Sequence, residues 1–410
     1  MKVGSLLKYH RTKMKMTQNQ LATGICSVPH LSKIESNSKE ANVETIRLLL
    51  SRLDINLEDV EESEKKISTL LKQFVQNIQY LEVEKAVCTF REFEMYKEII
   101  AFTKHIYIYE LYKLRYYIFI KELKLGNHQI KWLNTQKPNF SQHEHYLLSY
   151  FSTLSLIMRG RYGEADEKLS IIVQECSHIE SSGSFSFEGE IFYHLALVKG
   201  YMGESGHAIY YGKKAMDLFK NQFNYKRMLH VHMSLAINYT QTKIYDEALV
   251  CYEHLIRNIE MLQEYNLLPQ IYHNIGDLRH KMGQYSIAID YFKKSSVIFN
   301  KNSKDYLLCL YNIALSEFRL EKWMESRESF ILLNKEALKM KVTQYHLYSS
   351  FYLLLLNNKK QQAMKFLEDK VVPFTVKMDE QTESHQYFSN ILAEYYKTEG
   401  KYEEAVKFIL

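Results

Sequence analysis

Small side chains recur along this chain at a nearly fixed interval. Ala208, Ala248, Ala288 and Ser326 stand 40, 40 and 38 residues apart, and Ala165, Ala363 and Ala405 continue the series more weakly. An aromatic residue precedes several of them by three: Tyr162, Tyr245, Tyr285, Trp323 and Tyr402. The apolar residues around them keep a helical period. A repeat of about 40 residues with a small residue at a fixed point reads as a hairpin of two helices whose backbones cross closely there. Such units cannot bury their apolar faces alone, so they stack on their neighbours.

The composition agrees with an all-α chain. Only 14 glycines and 4 prolines occur in 410 residues, and both residue types interrupt helices. Thirty-two tyrosines supply amphipathic rings for helix contacts and grooves. No run of about 18 apolar residues occurs, and Met1-Lys2-Val3-Gly4-Ser5 lacks a signal-peptide core, so a cytoplasmic protein is expected. The five cysteines, Cys26, Cys88, Cys176, Cys251 and Cys309, are scattered without metal-ligand spacing and read as reduced, mostly buried thiols. Turns are expected near Gly126, Pro138, Gly183 and Pro269.

The net charge of +5 is concentrated at the N-terminus. Residues 1–39 carry Lys2, Lys8, Arg11, Lys13, Lys15, Lys33 and Lys39 against one acid, Glu35, which points to a polyanionic partner for this segment. Four helices are expected there, over residues 3–14, 18–23, 28–35 and 43–53. Thr17 and Ser27 cap the second and third, and Gly24 makes the turn between them.

The string Met16-Thr17-Gln18-x-Gln20-Leu21-Ala22-x-Gly24-Ile25-Cys26-Ser27-x-x-x-Leu31-Ser32-Lys33-Ile34-Glu35 closely resembles the phage-repressor class of helix-turn-helix. Its Gly-Ile-Cys-Ser turn is similar to that of the PlcR and NprR regulators of Gram-positive bacteria. The resemblance covers residues 3–57 and implies that the third helix enters the major groove of DNA. Its exposed residues would be Ser27, Val28, His30, Lys33 and Ser36, with His30 and Lys33 the base-edge candidates. Gln18 would anchor a phosphate at a helix N-terminus, with Arg11, Lys13 and Lys39 adding phosphate contacts. Glu35 is expected to hold the motif together. Residues 58–69 read as a linker: Glu58 to Lys66 is a polar run, either a hinge or the exposed start of a helix.

The unit Tyr272-x-x-Ile275-Gly276 to Gly283-x-Tyr285-x-x-Ala288-x-x-x-Phe292 resembles a tetratricopeptide repeat. Residues 70–410 therefore read as a right-handed superhelix of such repeats serving peptide binding and dimerisation. The combination with this helix-turn-helix resembles the RRNPP-type quorum-sensing regulators (Rap, Rgg, NprR, PlcR), closest to NprR and PlcR. That resemblance implies a homodimer on a palindromic DNA operator, controlled by a short signalling peptide in the concave groove. A Rap-like module that binds and inhibits a phosphorelay response regulator is the alternative.

Asn274 and Asn312 each stand two residues before the small residue of a first helix, Gly276 and Ala314, and Asn238 lies one turn further along its own helix. An asparagine amide both donates to a peptide carbonyl and accepts from a peptide N–H, so a row of them holds an extended backbone. His273, Asp277 and Tyr311 are expected to read side chains. Arg115 is expected, through the resemblance, to meet peptide charge. No phosphate loop, zinc pattern or nucleophile elbow occurs. His143 and His145, like His230 and His232, lack the i, i+4 spacing of a helical metal pair. No enzyme, cofactor or metal site is expected.

Overall fold

The computed structural model describes residues 3–179, 187–378 and 383–408, without the side chains of residues 175–179, 378 and 383. The expected turn at Gly183 and the side chain of Cys176 lie outside them. All the regular structure described is helical. The first four helices are α1 (Val3–Lys13), α2 (Gln18–Ala22), α3 (Val28–Glu35) and α4 (Val43–Ser51). After them come α5 (Leu57–Gln79), α6 (Val83–Phe93), α7 (Lys97–Ile100), α8 (Ile106–Phe119), α9 (Leu123–Gln136), α10 (Gln142–Ile157), α11 (Tyr162–Ile179), α12 (Glu188–Tyr201), α13 (Ser205–Asn221) and α14 (Tyr225–Gln241). The chain continues through α15 (Tyr245–Leu262), α16 (Leu268–Lys281), α17 (Tyr285–Ile298), α18 (Lys304–Arg319), α19 (Trp323–Lys339), α20 (Thr343–Leu356) and α21 (Lys360–Phe366). A π-helical turn, Leu367–Val371, leads to α22 (Val372–Met378), α23 (Glu383–Thr398) and α24 (Tyr402–Val406). No described helix is long and apolar enough to cross a membrane.

The repeat runs further than its alanines announce. A left-handed residue closes each helical hairpin: Leu81, Lys121, Gly160, Gly203, Lys243, Gly283, Glu321, Asn358 and Gly400. Five residues after each stands a small or buried one: Ala86, Gly126, Ala165, Ala208, Ala248, Ala288, Ser326, Ala363 and Ala405. Gly126 therefore sits inside α9 at the helix crossing, and the expected turn lies before it, at Lys121. Close approach is strictest in the first helices. A β-carbon on Gly276 would come within 2.6 Å of the Phe292 ring, so α16 and α17 meet there only because the side chain is missing.

Contacts divide the chain into two compact units, Met1–Val231 and His232–Leu410. In the first, α1–α4 enclose Leu6, Leu7, Leu21, Ala22, Leu31, Ile34, Leu49, Leu50 and Leu53. Gly4 lets α1 lie on α3, where any β-carbon would collide with the Ile34 carbonyl. The same core takes in Leu57 and Val60 from α5 and the partly buried Phe102. Of the two readings of residues 58–69, a hinge or the exposed start of a helix, the structure has the helix. These residues are the first turns of one 23-residue helix, whose apolar positions Leu57, Val60, Ile67, Leu70 and Leu71 keep the helical period through the polar run. The second unit packs Tyr348, Phe351, Tyr352, Phe330 and Phe388 into an aromatic core, with Phe330 stacked on Tyr352 at 4.6 Å.

Candidate DNA and peptide interfaces

The helix-turn-helix is built as its sequence specifies. Thr17 and Gln20 form a reciprocal cap on α2, Gly24 takes φ +74°, and the Ser27 hydroxyl accepts from the His30 amide at the start of α3. Glu35, at the end of α3, is buried. Its carboxylate accepts from Arg11 Nε (2.6 Å), Arg11 Nη2 (3.0 Å) and Gln18 Nε2 (2.8 Å). Burial pushes the Glu35 carboxyl up, but these donors outweigh it and hold it below the ordinary glutamate value. The clamp ties α1, α2 and α3 together through one acid.

Two residues expected at phosphates, Arg11 and Gln18, are thus engaged within the domain. Arg11 spends its guanidinium on Glu35 and, through Nη1, on the Met16 carbonyl at 2.8 Å. Gln18 gives one amide N–H to Glu35. Lys13 holds both oxygens of Glu98 in α7 at 2.8 Å, with about half of each side chain exposed, so it too carries a competing partner. Val28 packs partly against the domain core and, like His30, is half-buried. Lys33, Lys39 and Ser27 are exposed and His30 half-exposed, so these four remain on the outer face of α3 and the loop after it.

In the second unit the structure joins three of the expected peptide residues. Asn312 Nδ2 lies 3.0 Å from His273 Nε2, and His273 Nδ1 lies 3.5 Å from the Asn274 carbonyl oxygen. The two amides stand on successive hairpins, α16 and α18, with the imidazole between them. Burial pulls His273 below its ordinary pKa, so the ring is neutral at pH 7, and its two bonds are compatible with the proton on Nδ1. Asn274 Nδ2 is buried and has no hydrogen-bond partner. A buried N–H without an acceptor is costly, about 1–3 kcal/mol.

The other residues expected at the peptide have partners within the fold. Asn238 is buried, and its Nδ2 donates to the Ser234 carbonyl one turn back on its own helix, at 2.8 Å. Asp277 pairs with Lys281 at 3.2 Å. Tyr311 turns its ring among Tyr345, Tyr348 and Tyr352, and burial raises its phenol well above the ordinary value. Arg115, in the first unit, is only 5% exposed and donates to Glu190 at 2.9 Å. Arg227 reaches the other oxygen of Glu190 at 3.1 Å, and Tyr150 meets His194 Nδ1 at 3.0 Å beside them. A residue expected to meet ligand charge is thus part of a buried ion cluster. Glu190, the acid that claims it, gave no signal in the sequence beyond a carboxylate within the apolar helix α12. Further along α16, His280 Nδ1 lies 2.8 Å from Ser316 Oγ on α18, a second cross-hairpin polar contact not anticipated from the sequence.

Comparison with known proteins follows the same division. A family model described as helix-turn-helix matches residues 7–60, and one described as tetratricopeptide repeat matches residues 269–296. The transcriptional activator NprA of Geobacillus stearothermophilus is 26% identical over 400 residues, covering 95% of this chain and 97% of its own. Among solved structures, the apo form of the quorum sensor NprR from B. thuringiensis matches with a TM-score of 0.70 at 18% identity, covering 84% of this chain and 97% of its own. NprR in complex with its cognate peptide NprX matches with a TM-score of 0.62 at 19% identity, covering 84% of this chain and 96% of its own. In its helix-turn-helix, its tetratricopeptide-like hairpins and its similarity to NprA along nearly the whole length, this chain resembles the RRNPP-type regulators, the group that includes Rap, Rgg, NprR and PlcR.

Proposed function

We propose that this protein is a cytoplasmic transcription regulator whose binding to DNA is controlled by a short signalling peptide. Residues 1–57 read a half-site of a palindromic operator through His30 and Lys33. Residues 70–410 hold the peptide and pair two copies of the chain, with the turns at 58–69 joining the two functions. A single helix-turn-helix makes too few contacts for selective binding, and a dimer doubles them. The similar NprR was solved with its cognate peptide NprX. The observation that carries the peptide reading is Asn274 Nδ2, a buried donor without an acceptor, beside an imidazole already bound to Asn312. A peptide carbonyl would satisfy it. A ligand shifts a conformational equilibrium only through its different affinity for the two states, so peptide and DNA affinities must be coupled. Titration of labelled palindromic DNA with the full chain, with and without a synthetic peptide encoded beside its gene, tests this. A peptide-dependent change in DNA affinity is expected. A chain that ignores both the DNA and the peptide would overturn the reading.

A further inference from the structure

One groove of the first unit has no part in the reading above. It has a volume of about 1090 Å3 and lies along α10, between α9 and the start of α11. None of the asparagines considered for peptide binding stands on these helices. Four cations line it, Lys131, Lys137, Arg159 and Lys168, and no aspartate or glutamate does. None of the four has an ion-pair partner among the described residues. Elsewhere in the same unit Lys113, Lys199 and Arg115 each hold a carboxylate. Unpaired cations in a concave, partly apolar cleft focus a positive potential into it.

The cations are spread along the groove. α9 and α10 join through a short turn and run antiparallel, so Lys137 stands at the Gln142 end and Lys131 further along, with Arg159 at the far end. The lining runs from Gln142 to Arg159, about 25 Å of helix at about 1.5 Å per residue. Over that length the volume leaves a cross-section of about 45 Å2, close to the envelope of one extended polypeptide, about 4.8 by 10 Å. Double-stranded DNA is far too wide. A single nucleic-acid strand needs exposed rings to stack its bases. The lining offers one tyrosine, Tyr146, and that ring is only 5% exposed. Amide and hydroxyl groups from Asn127, Gln142 and Ser149 stand ready for a peptide backbone.

We propose that this groove is a second binding site, for an extended acidic polypeptide segment of about seven or eight residues, separate from the signalling-peptide site. The full-length protein is titrated into a fluorescein-labelled octaglutamate peptide and, separately, into labelled octathymidylate, with anisotropy as the readout. Octaglutamate should bind, more weakly as salt rises, because exposed charges are screened. The Lys131→Glu, Arg159→Glu variant should weaken it about tenfold or more, since it puts like charges opposite the ligand. The Lys137→Ala, Lys168→Ala variant should weaken it less. The Lys33→Ala, Lys39→Ala variant, altered only in the helix-turn-helix, should bind as the wild type does. All these substitutions are on exposed residues, and unchanged thermal melts establish that the variants fold. The proposal is overturned if octaglutamate does not bind the wild type, if both groove variants bind it unchanged, or if octathymidylate binds as tightly and loses as much in the groove variants.

Discussion

Asn312 Nδ2 stands 3.0 Å from Nε2 of His273, and that contact crosses from one helical hairpin to the one before it. The imidazole approaches Asn274 with its other nitrogen, so three polar side chains on two hairpins form one hydrogen-bonded row. Asn274→Ala or Asn312→Ala should each cost about 1–3 kcal/mol of peptide affinity, about 5- to 150-fold, because peptide groups lose partners in a partly dry site. DNA binding without peptide should be unchanged. Calorimetry with the cognate peptide on the double variant decides it, and wild-type affinity there would leave these amides as ordinary helix-surface groups.

The helix-turn-helix should separate base reading from phosphate holding. His30→Ala with Lys33→Ala should cost about 1–3 kcal/mol per base contact on the specific operator, whereas Lys39→Ala should weaken all DNA by similar factors. Competition between operator and random duplex measures both. A double variant that keeps its sequence preference would mean that α3 does not read the bases.

Glu35 serves the fold. Glu35→Ala leaves Arg11 and Gln18 without their acceptor and should destabilise the N-terminal helices by about 1–3 kcal/mol. Its folded pKa lies below the ordinary 4.5. The stability it contributes is therefore complete above pH 4.5 and lost as the pH falls through the lowered value. Circular dichroism melts at stepped pH should show that loss in the wild type and not in Glu35→Gln. Equal acid slopes in the two would refute the role.

His194 gives the first unit a second acid sensitivity. Burial, against the pull of Glu190, lowers it from 6.5 to about 3, so it is neutral in the folded protein. Arg115, Arg227 and Tyr150 complete its surroundings. The unfolded chain binds the proton first, so stability is full above pH 6.5 and declines as the pH falls toward 3. Urea unfolding between pH 7 and about pH 5 should show this decline, and His194→Gln should flatten it. Removing the acid is harsher: Glu190→Ala strands two buried guanidinium groups, at a cost of about 3–5 kcal/mol.

Gly276→Ala should destabilise the second unit by about 1–3 kcal/mol, because the new methyl overlaps the Phe292 ring and forces α16 away from α17. Gly206→Ala, where a β-carbon meets nothing within 4 Å, is the control and should be neutral or stabilising. Thermal melts compare the two.

What the sequence determined by itself was whatever depends on neighbours in the chain. Helix caps, the Gly24 turn and the start of α3 are local chemistry, and they stand plainly in Thr17, Gly24 and Ser27. The repeat is legible in the sequence from Ala165 to Ala405. Its first two units are hidden because a glycine at Gly126 reads as a turn signal, which leaves Ala86 79 residues from the next marker, Ala165. The left-handed residues Leu81 and Lys121 that close those hairpins are of types that give no turn signal. At residues 58–69 the polar run alone leaves hinge and helix start open, and the sparse apolar positions beneath it belong to the helix.

Only the tertiary structure decided the fate of each charge and amide. Arg11, Arg115, Asn238 and Asp277 have the right chemistry for ligands, yet Glu35, Glu190, the Ser234 carbonyl and Lys281 claim them. Those partners lie from four to 75 residues away in the chain, and nothing in local spacing names the distant ones. How much of a polar side chain is left for a ligand depends on the partners the fold gives it. That is a matter of which helices meet, and it singles out Asn274, Lys33 and the cations along α10.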